Sequence, residues 1–279
     1  MSYSLFYKIG NIVIKTVTDC PQETHEPYSL FLCGETTPSV TIKYVFRSGK
    51  IKADGNIIQK TEFYDAYDNG NEYRFCYHDT GKQNYYAVRT VKKDDFSFQT
   101  VIVEEKYSGM LWTRVIFQTM GIESIATAFG GAVIHASVIE KDGRGIIFTA
   151  PCGTGKSTQA ELWRKYRNAE IINGDKALIF CENGECFVSG LPFSGSSKIC
   201  KNKTVPVKAI VSLGQAKKNK ISLIKGLQAY GVIFSGIYHS VFDDSLLTEN
   251  FVKNVSVLRL DCLPDESAVE TLENALEKI

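Results

Sequence analysis

The 279-residue chain has no run of eighteen apolar residues, so no membrane-spanning helix is expected. Its opening, MSYSLFYKIG, lacks the basic-then-apolar pattern of a secretory signal. Eight cysteines are present, yet none forms a C-x-x-C pair and none stands at a zinc-finger spacing from histidine. That argues against a thiolate metal site. Excess charge is also lacking: 32 basic residues face 31 acidic ones, for a net charge of +1. A chain so balanced has no general attraction to nucleic acid or to anionic lipid. No internal repeat and no low-complexity tract occurs. Together these absences predict a reduced, cytoplasmic protein with free thiols, and no partnership with nucleic acid or membrane.

The content is that of a globular chain, with 44% apolar and 23% charged residues, and the length suits two domains. Residues 1–106 read as strands joined by tight turns. Asp54-Gly55, Asn69-Gly70 and Thr80-Gly81 are turn signals between β-rich segments, and "KKDD" turns into "FSFQTVIVEE". This predicts a β-rich N-terminal domain built on an antiparallel sheet, with no chemistry of its own.

From 107 to 279 the rhythm changes to α/β. Leu111, Val115, Ile116 and Met120 have helical spacing, and Gly121 breaks the helix. "AVIHASVIE" and "GRGIIFTA" are apolar strands around the turn Lys141-Asp142-Gly143. "KSTQAELWRKY" reads as a helix, "AEIIN" as a strand, and Asn183-Gly184 as a hairpin between "ALIFC" and "ECFVSG". "LQAYGVIFSGIY" and "DSLLTENFVK" are helical, the second capped by Asp243 or Asp244. The last helix places Val269, Leu272, Leu276 and Ile279 on one face.

One stretch carries chemistry. Ala150-Pro151-Cys152-Gly153-Thr154-Gly155-Lys156-Ser157 departs from G-x-x-x-x-G-K-[ST] only in its first residue. Gly153 and Gly155 permit a backbone whose N–H groups turn inward on an anion. The helix that follows adds its positive end. Lys156 would reach the β and γ phosphates, and the Ser157 hydroxyl would ligate Mg²⁺. Cys152 and Thr158 belong to the same phosphate-binding run; Cys152 reads as a packed or lightly polar residue, not a nucleophile. A second Mg²⁺ anchor is needed, and Asp175, at the end of the "AEIIN" strand, is the carboxylate in place to supply it. A parallel sheet would bring the two together. A lone histidine such as His135 on an apolar strand is more often a core residue than a catalytic one.

Three segments together, "HASVIEKDGRGIIFTAPCGTGKST", "INGDK" and "GLPFSGSSK", resemble the kinase domain of HPr kinase/phosphorylase and the nucleotide core of phosphoenolpyruvate carboxykinase. The chain is similar above all to the small HPr-kinase-like proteins of bacterial peptide-modification clusters, some of which phosphorylate a serine. The resemblance runs from about 111 to 279 and is most specific over 135–176. It implies an α/β C-terminal P-loop domain of that type behind the β-rich N-terminal domain. It implies that His135 lies near the metal and the transferred phosphate, that Asp175 is the acidic metal-binding position, and that the loop ending in Lys198 can close over phosphates. HPr kinases are hexamers, so a homo-oligomer is implied as well. One departure stands out: those families place a second Asp beside this one, whereas here the neighbours are Gly174 and Lys176. Metal number, rate and direction therefore need not follow the family.

The expectation is an ATP- and Mg²⁺-dependent kinase (Mn²⁺ also suits the donors) acting on a hydroxyl, with Asp175, His135 and Lys156 as catalytic residues and a protein or peptide as acceptor. The loop itself suits ATP, GTP or pyrophosphate. The alternatives are a nucleotide-binding regulator or weak ATPase, a carboxykinase, against which length argues, and a structural module with a degenerate loop.

Overall fold

A computed structural model describes residues 2–108 and 112–279 of the protein. It is a mixed α/β structure with two large sheets and few helices, in two compact units, Met1–Ile125 and Ala126–Ile279.

In the first unit the strands are β1 (Tyr3–Ile9), β2 (Ile12–Thr18), β3 (Leu32–Cys33), β4 (Val40–Arg47), β5 (Asn56–Lys60), β6 (Tyr64–Asp68), β7 (Glu72–His78), β8 (Tyr85–Lys92) and β9 (Phe98–Glu104). They form one sheet in the order β3-β1-β2-β4-β9-β8-β7-β6-β5. Strict alternation builds it: Ile12, Ile14, Thr16 and Thr18 of β2 are buried while the residues between them are half-buried. Asn69-Gly70, Thr80-Gly81 and "KKDD" join the neighbours β6–β7, β7–β8 and β8–β9, as expected. Two expectations fail. The sheet is not wholly antiparallel, because β4 lies parallel to both β2 and β9. Each of those partners is reached by a long connection, which is what a parallel pairing requires. Asp54-Gly55 closes no hairpin either. Ile51, just before it, bridges to Tyr85 instead, and β5 pairs with β6.

Helices α1 (Trp112–Met120) and α2 (Ile122–Ala128) follow. Val115, Ile116 and Met120 are buried as their spacing predicts; Leu111 lies outside the described residues. Gly121, at φ +67°, separates the helices, and a Cβ on it would overlap the guanidinium of Arg89. Arg89 is only 1% exposed. It donates to Gln99 Oε1 (2.9 Å) and Ser124 Oγ (2.6 Å) and lies 4.1 Å from the centre of the Phe75 ring. Tyr44 on β4 also donates to the Ile116 carbonyl (3.0 Å). These bonds tie α1 and the start of α2 to the first sheet. The division between units therefore falls after Ile125, beyond the 106/107 break read from composition.

The second unit contains β10 (Gly131–Lys141), β11 (Arg144–Thr149), α3 (Lys156–Arg167), β12 (Glu170–Asn173), β13 (Lys176–Glu182), β14 (Glu185–Gly190), β15 (Thr204–Gln215), β16 (Lys220–Ile224), α4 (Gly226–Gly236), α5 (Ser245–Asn254), β17 (Ser256–Cys262) and α6 (Glu266–Leu276). The sheet runs β11-β10-β13-β14-β15-β17-β16, with β12 on β10 and β11 also pairing β15. Ile134, Ile147, Ile210 and Val257 point to α4 and α5, where Ile233 and Phe251 complete one core layer. Phe148, Val211 and Leu258 point the other way, to Trp163 of α3 and Leu272 of α6.

Several expectations are revised here. The sheet is parallel only where β15 meets β11 and β17; β12 lies antiparallel on β10, so a parallel neighbour is not what carries Asp175 to the site. Cys181 and Cys186 form a disulfide, against the expectation of free thiols. The two-residue turn Asn183-Gly184 sets these cysteines directly opposite each other, with Cα atoms 4.0 Å apart. Val269, Leu272 and Leu276 are buried, but Ile279 lies past the end of α6 and is 40% exposed. Asp244 occupies the position before α5, yet it is Asp243 Oδ1 that accepts from Ser245 N–H (2.9 Å).

The packing of Arg89 makes Gly121 costly to change. Gly121→Ala combines a left-handed φ with a steric overlap, whereas Gly70→Ala imposes a left-handed φ in open space. Urea unfolding is expected to show a loss of about 1–2 kcal/mol for Gly70→Ala and a clearly larger one for Gly121→Ala.

Candidate functional site

The loop 150–155 leaves β11 at its C-terminal end and enters α3. Gly153 and Gly155 adopt φ +78° and +117°, which side chains rarely tolerate, and nothing lies within 4 Å of a Cβ built on either. Both positions thus use backbone freedom that only glycine supplies at no cost, with open space beside them. Gln215, at the end of β15, donates from Nε2 to the Gly153 carbonyl (3.3 Å) and braces the loop. Lys156 folds back, its Nζ donating to the carbonyls of Ala150 (2.9 Å) and Pro151 (3.4 Å). Burial holds its pKa below the ordinary lysine value, while Cys152 and Asp175 pull the other way. Ser157 and Thr158 are exposed on the first turn of α3. Cys152 is exposed too, as a free thiol, so of the two expected environments it is not the packed one.

Asp175 is positioned by a residue that the sequence reading passed over. Asn173 ends β12 and is fully buried. Its Oδ1 accepts from the N–H groups of Asp175 (2.8 Å) and Lys176 (3.1 Å), and its Nδ2 donates to the Leu191 carbonyl (2.7 Å). One carboxamide therefore shapes the turn and links it to the segment after β14. Ser137 adds a bond from Oγ to the Gly174 carbonyl (3.1 Å). The turn 194–197 packs against this chain: a Cβ on Gly174 would overlap Ser197, and one on Gly195 would lie 2.8 Å from Asp175. The segment "GLPFSGSSK" thus lies against Asp175. Lys198 follows that turn in a left-handed conformation and is exposed.

His135 lies on β10 directly across from Lys176 on β13, so the two side chains share a face. Its Nδ1 is 3.1 Å from the Asp175 carbonyl and 3.6 Å from Asp175 Oδ1. A carbonyl only accepts, so the contact is a hydrogen bond in the tautomer that carries its proton on Nδ1, and that tautomer keeps the lone pair on Nε2. Burial is the main reason that the imidazole pKa lies below its ordinary value, with the Lys156 charge second. Tyr238 reaches the same ring nitrogen. Its N–H donates to the Val133 carbonyl (2.8 Å), and its OH is 3.4 Å from His135 Nδ1. Sequence reading saw Tyr238 only as the end of a helix. The signal available for Asn173 was local, an Asn-Gly pair at a strand end; Tyr238 had none.

The structure therefore gathers His135, Asp175, Lys176 and Tyr238, with Lys156 within electrostatic reach of both His135 and Asp175. Among the described residues no group of three or more His, Cys, Asp or Glu side chains could hold a metal. Ser157 and Asp175 offer hard oxygen donors, which suit Mg²⁺ where phosphate oxygens and water complete the shell.

Two outcomes follow. Asn173→Ala leaves two N–H groups and a carbonyl without their partner, and unfolding measurements are expected to show a loss of about 1–3 kcal/mol or more. The His135 imidazole is expected to titrate below histidine's ordinary 6.5. Lys156→Met, which removes a repelling charge, should raise that midpoint in an NMR titration.

Comparison with known proteins follows this geometry. Residues 100–254 match the family "SynChlorMet cassette protein ScmC". That span is more than half of the chain and includes the loop, His135, Asp175 and Tyr238. Among solved structures, the HPr(Ser) kinase/phosphatase from Coxiella burnetii is similar at 13% identity and a TM-score of 0.31, covering 52% of this chain and 95% of that one. No curated protein matches. By the extent of the family match, the chain belongs to the SynChlorMet cassette protein ScmC family.

Proposed function

We propose that this protein is an ATP- and Mg²⁺-dependent kinase that phosphorylates a hydroxyl, a serine of a protein or peptide being the acceptor class. The observation that carries the reading is the meeting of a glycine-turned loop and Lys156 with His135 and Asp175, since phosphoryl transfer needs positioning and charge stabilisation more than covalent chemistry.

The chain's residues take these roles. Loop N–H groups and Lys156 hold the phosphates of ATP. The acceptor oxygen attacks the γ-phosphorus as the bond to the bridging β–γ oxygen breaks, and ADP leaves with that electron pair. The acceptor proton passes to His135 Nε2, in the tautomer whose Nδ1–H donates to the Asp175 carbonyl, or to the Asp175 carboxylate. Mg²⁺, when held by Ser157 and Asp175, would neutralise phosphate charge; Mn²⁺ suits the same oxygen donors. Tyr238 and the Asp175 carbonyl orient the imidazole.

A second reading is a nucleotide-binding regulator without acceptor chemistry. The single carboxylate favours it: position 174 is closed to a side chain by Ser197, and position 176 is a lysine. It predicts saturable Mg·ATP binding and no phosphorylated product.

Transfer of label from ATP to serine-containing acceptors tests the first reading. Lys156→Ala is expected to lower transfer by a factor on the order of a hundred or more, as losing a preorganised charge contact does. Undiminished transfer by Lys156→Ala would refute the mechanism.

A further inference from the structure

The side chain beside Asp175 is a cation in a defined seat. Lys176 Nζ lies 4.0 Å from the centre of the Tyr238 ring and 5.7 Å from that of Phe193. Ring faces attract an ammonium group through their quadrupole, without carrying a net charge that would neutralise it. The seat is itself fixed. Tyr238 is pinned by its N–H to Val133 of β10, and Ile237 forms a bridge with Ile134 of the same strand. Phe193 lies in the segment whose start, Leu191, is held by Asn173. The backbone N–H of Lys176 is held by the same carboxamide. Lys176 also stands directly across from His135, and His135 is within the electrostatic reach of both Lys156 and Lys176. The ammonium groups of Lys156 and Lys176 thus both act on the imidazole that lies beside Asp175.

We infer that Lys176, seated on Tyr238, is a second cation for the terminal phosphate of ATP, acting together with Lys156 of the loop. The inference rests on the kinase reading and deepens it. Lys156 serves the β and γ phosphates from the loop side. Lys176 serves the γ phosphate from the start of β13, one residue after Asp175, and it supplies positive charge at the place where a second carboxylate would have held a metal. As the bond to the β phosphate breaks, both ammonium groups stay beside the oxygens of the group in transfer.

Calorimetric binding of ATP and ADP to the full chain, with excess Mg²⁺, tests this. The native protein is expected to bind ATP more tightly than ADP. In Lys176→Met that preference should fall roughly tenfold, the effect of one charge-assisted contact, while ADP affinity changes by less than about twofold. Lys176→Arg keeps a charge and should retain part of the preference. Tyr238→Leu, which removes the ring, should lose more of it than Tyr238→Phe. Lys176→Gln gives the same reading should the Met variant not fold, and thermal melting checks each variant. Equal weakening of ATP and ADP, or none, overturns the role of Lys176, as does a native protein that binds both nucleotides equally. In those cases the kinase reading still stands on the transfer assay. A native protein that binds neither nucleotide overturns both.

Discussion

The arrangement around Asp175 depends on the Asn173 carboxamide. It is buried at the end of β12 and bonds to three backbone groups, two in the turn that follows and one at Leu191. A buried amide that satisfies both of its ends is a rigid joint, because breaking either bond leaves polar groups dry. Through it, the direction of Asp175, the start of Lys176 and the entry to the 191–198 segment become one geometric decision. His135 joins by its ring contact with the Asp175 carbonyl, and the β10–β13 register places Lys176 opposite. Hydrogen bonds to main chain thus set the side chains that would do chemistry, and contacts among Tyr238, His135 and Lys176 add to them.

What could be read from sequence, and what could not, divides by range. The loop, the helix behind it and the strand before it were legible because glycine, lysine and apolar periodicity act over a few residues. The two-residue turns at Asp142-Gly143 and Asn183-Gly184 were legible for the same reason, and both have positive φ at each central residue. The parallel pairings of β4 with β2 and β9 were not, since nothing local marks which strand a long connection will find. The disulfide shows both sides. Its turn was legible, but the consequence that Cys181 faces Cys186 follows only once the register is known. Asp243 and Asp244 show competition: both can cap α5, but Asp244 Oδ2 lies 2.8 Å from His239 Nδ1 and leaves the Ser245 N–H to its neighbour.

At the site itself the division is similar. His135, Asp175 and Lys156 could be named from motif context, and the fold brings them within reach of each other. Tyr238 could not, because it arrives from α4, far along the chain, and is located by a backbone bond to β10. Arg89 in the first unit is comparable: its burial against Gly121 decides where the helices belong, yet an arginine in a strand looks like a surface residue until its partners are known.

The charge of the site follows from packing as much as from residue choice. A carboxylate at 174 has no room while Ser197 lies against the glycine. One at 176 would place a negative group over the faces of Tyr238 and Phe193, where the ring quadrupole repels it. The neighbours that surround Asp175 therefore favour one anion and a flanking cation. Two carboxylates here would need the 194–197 turn moved or both rings replaced. The lysine beside Asp175 is in this sense part of how the 191–198 segment and the residues after α4 pack, and a carboxylate at that single position would face two rings suited to the opposite sign.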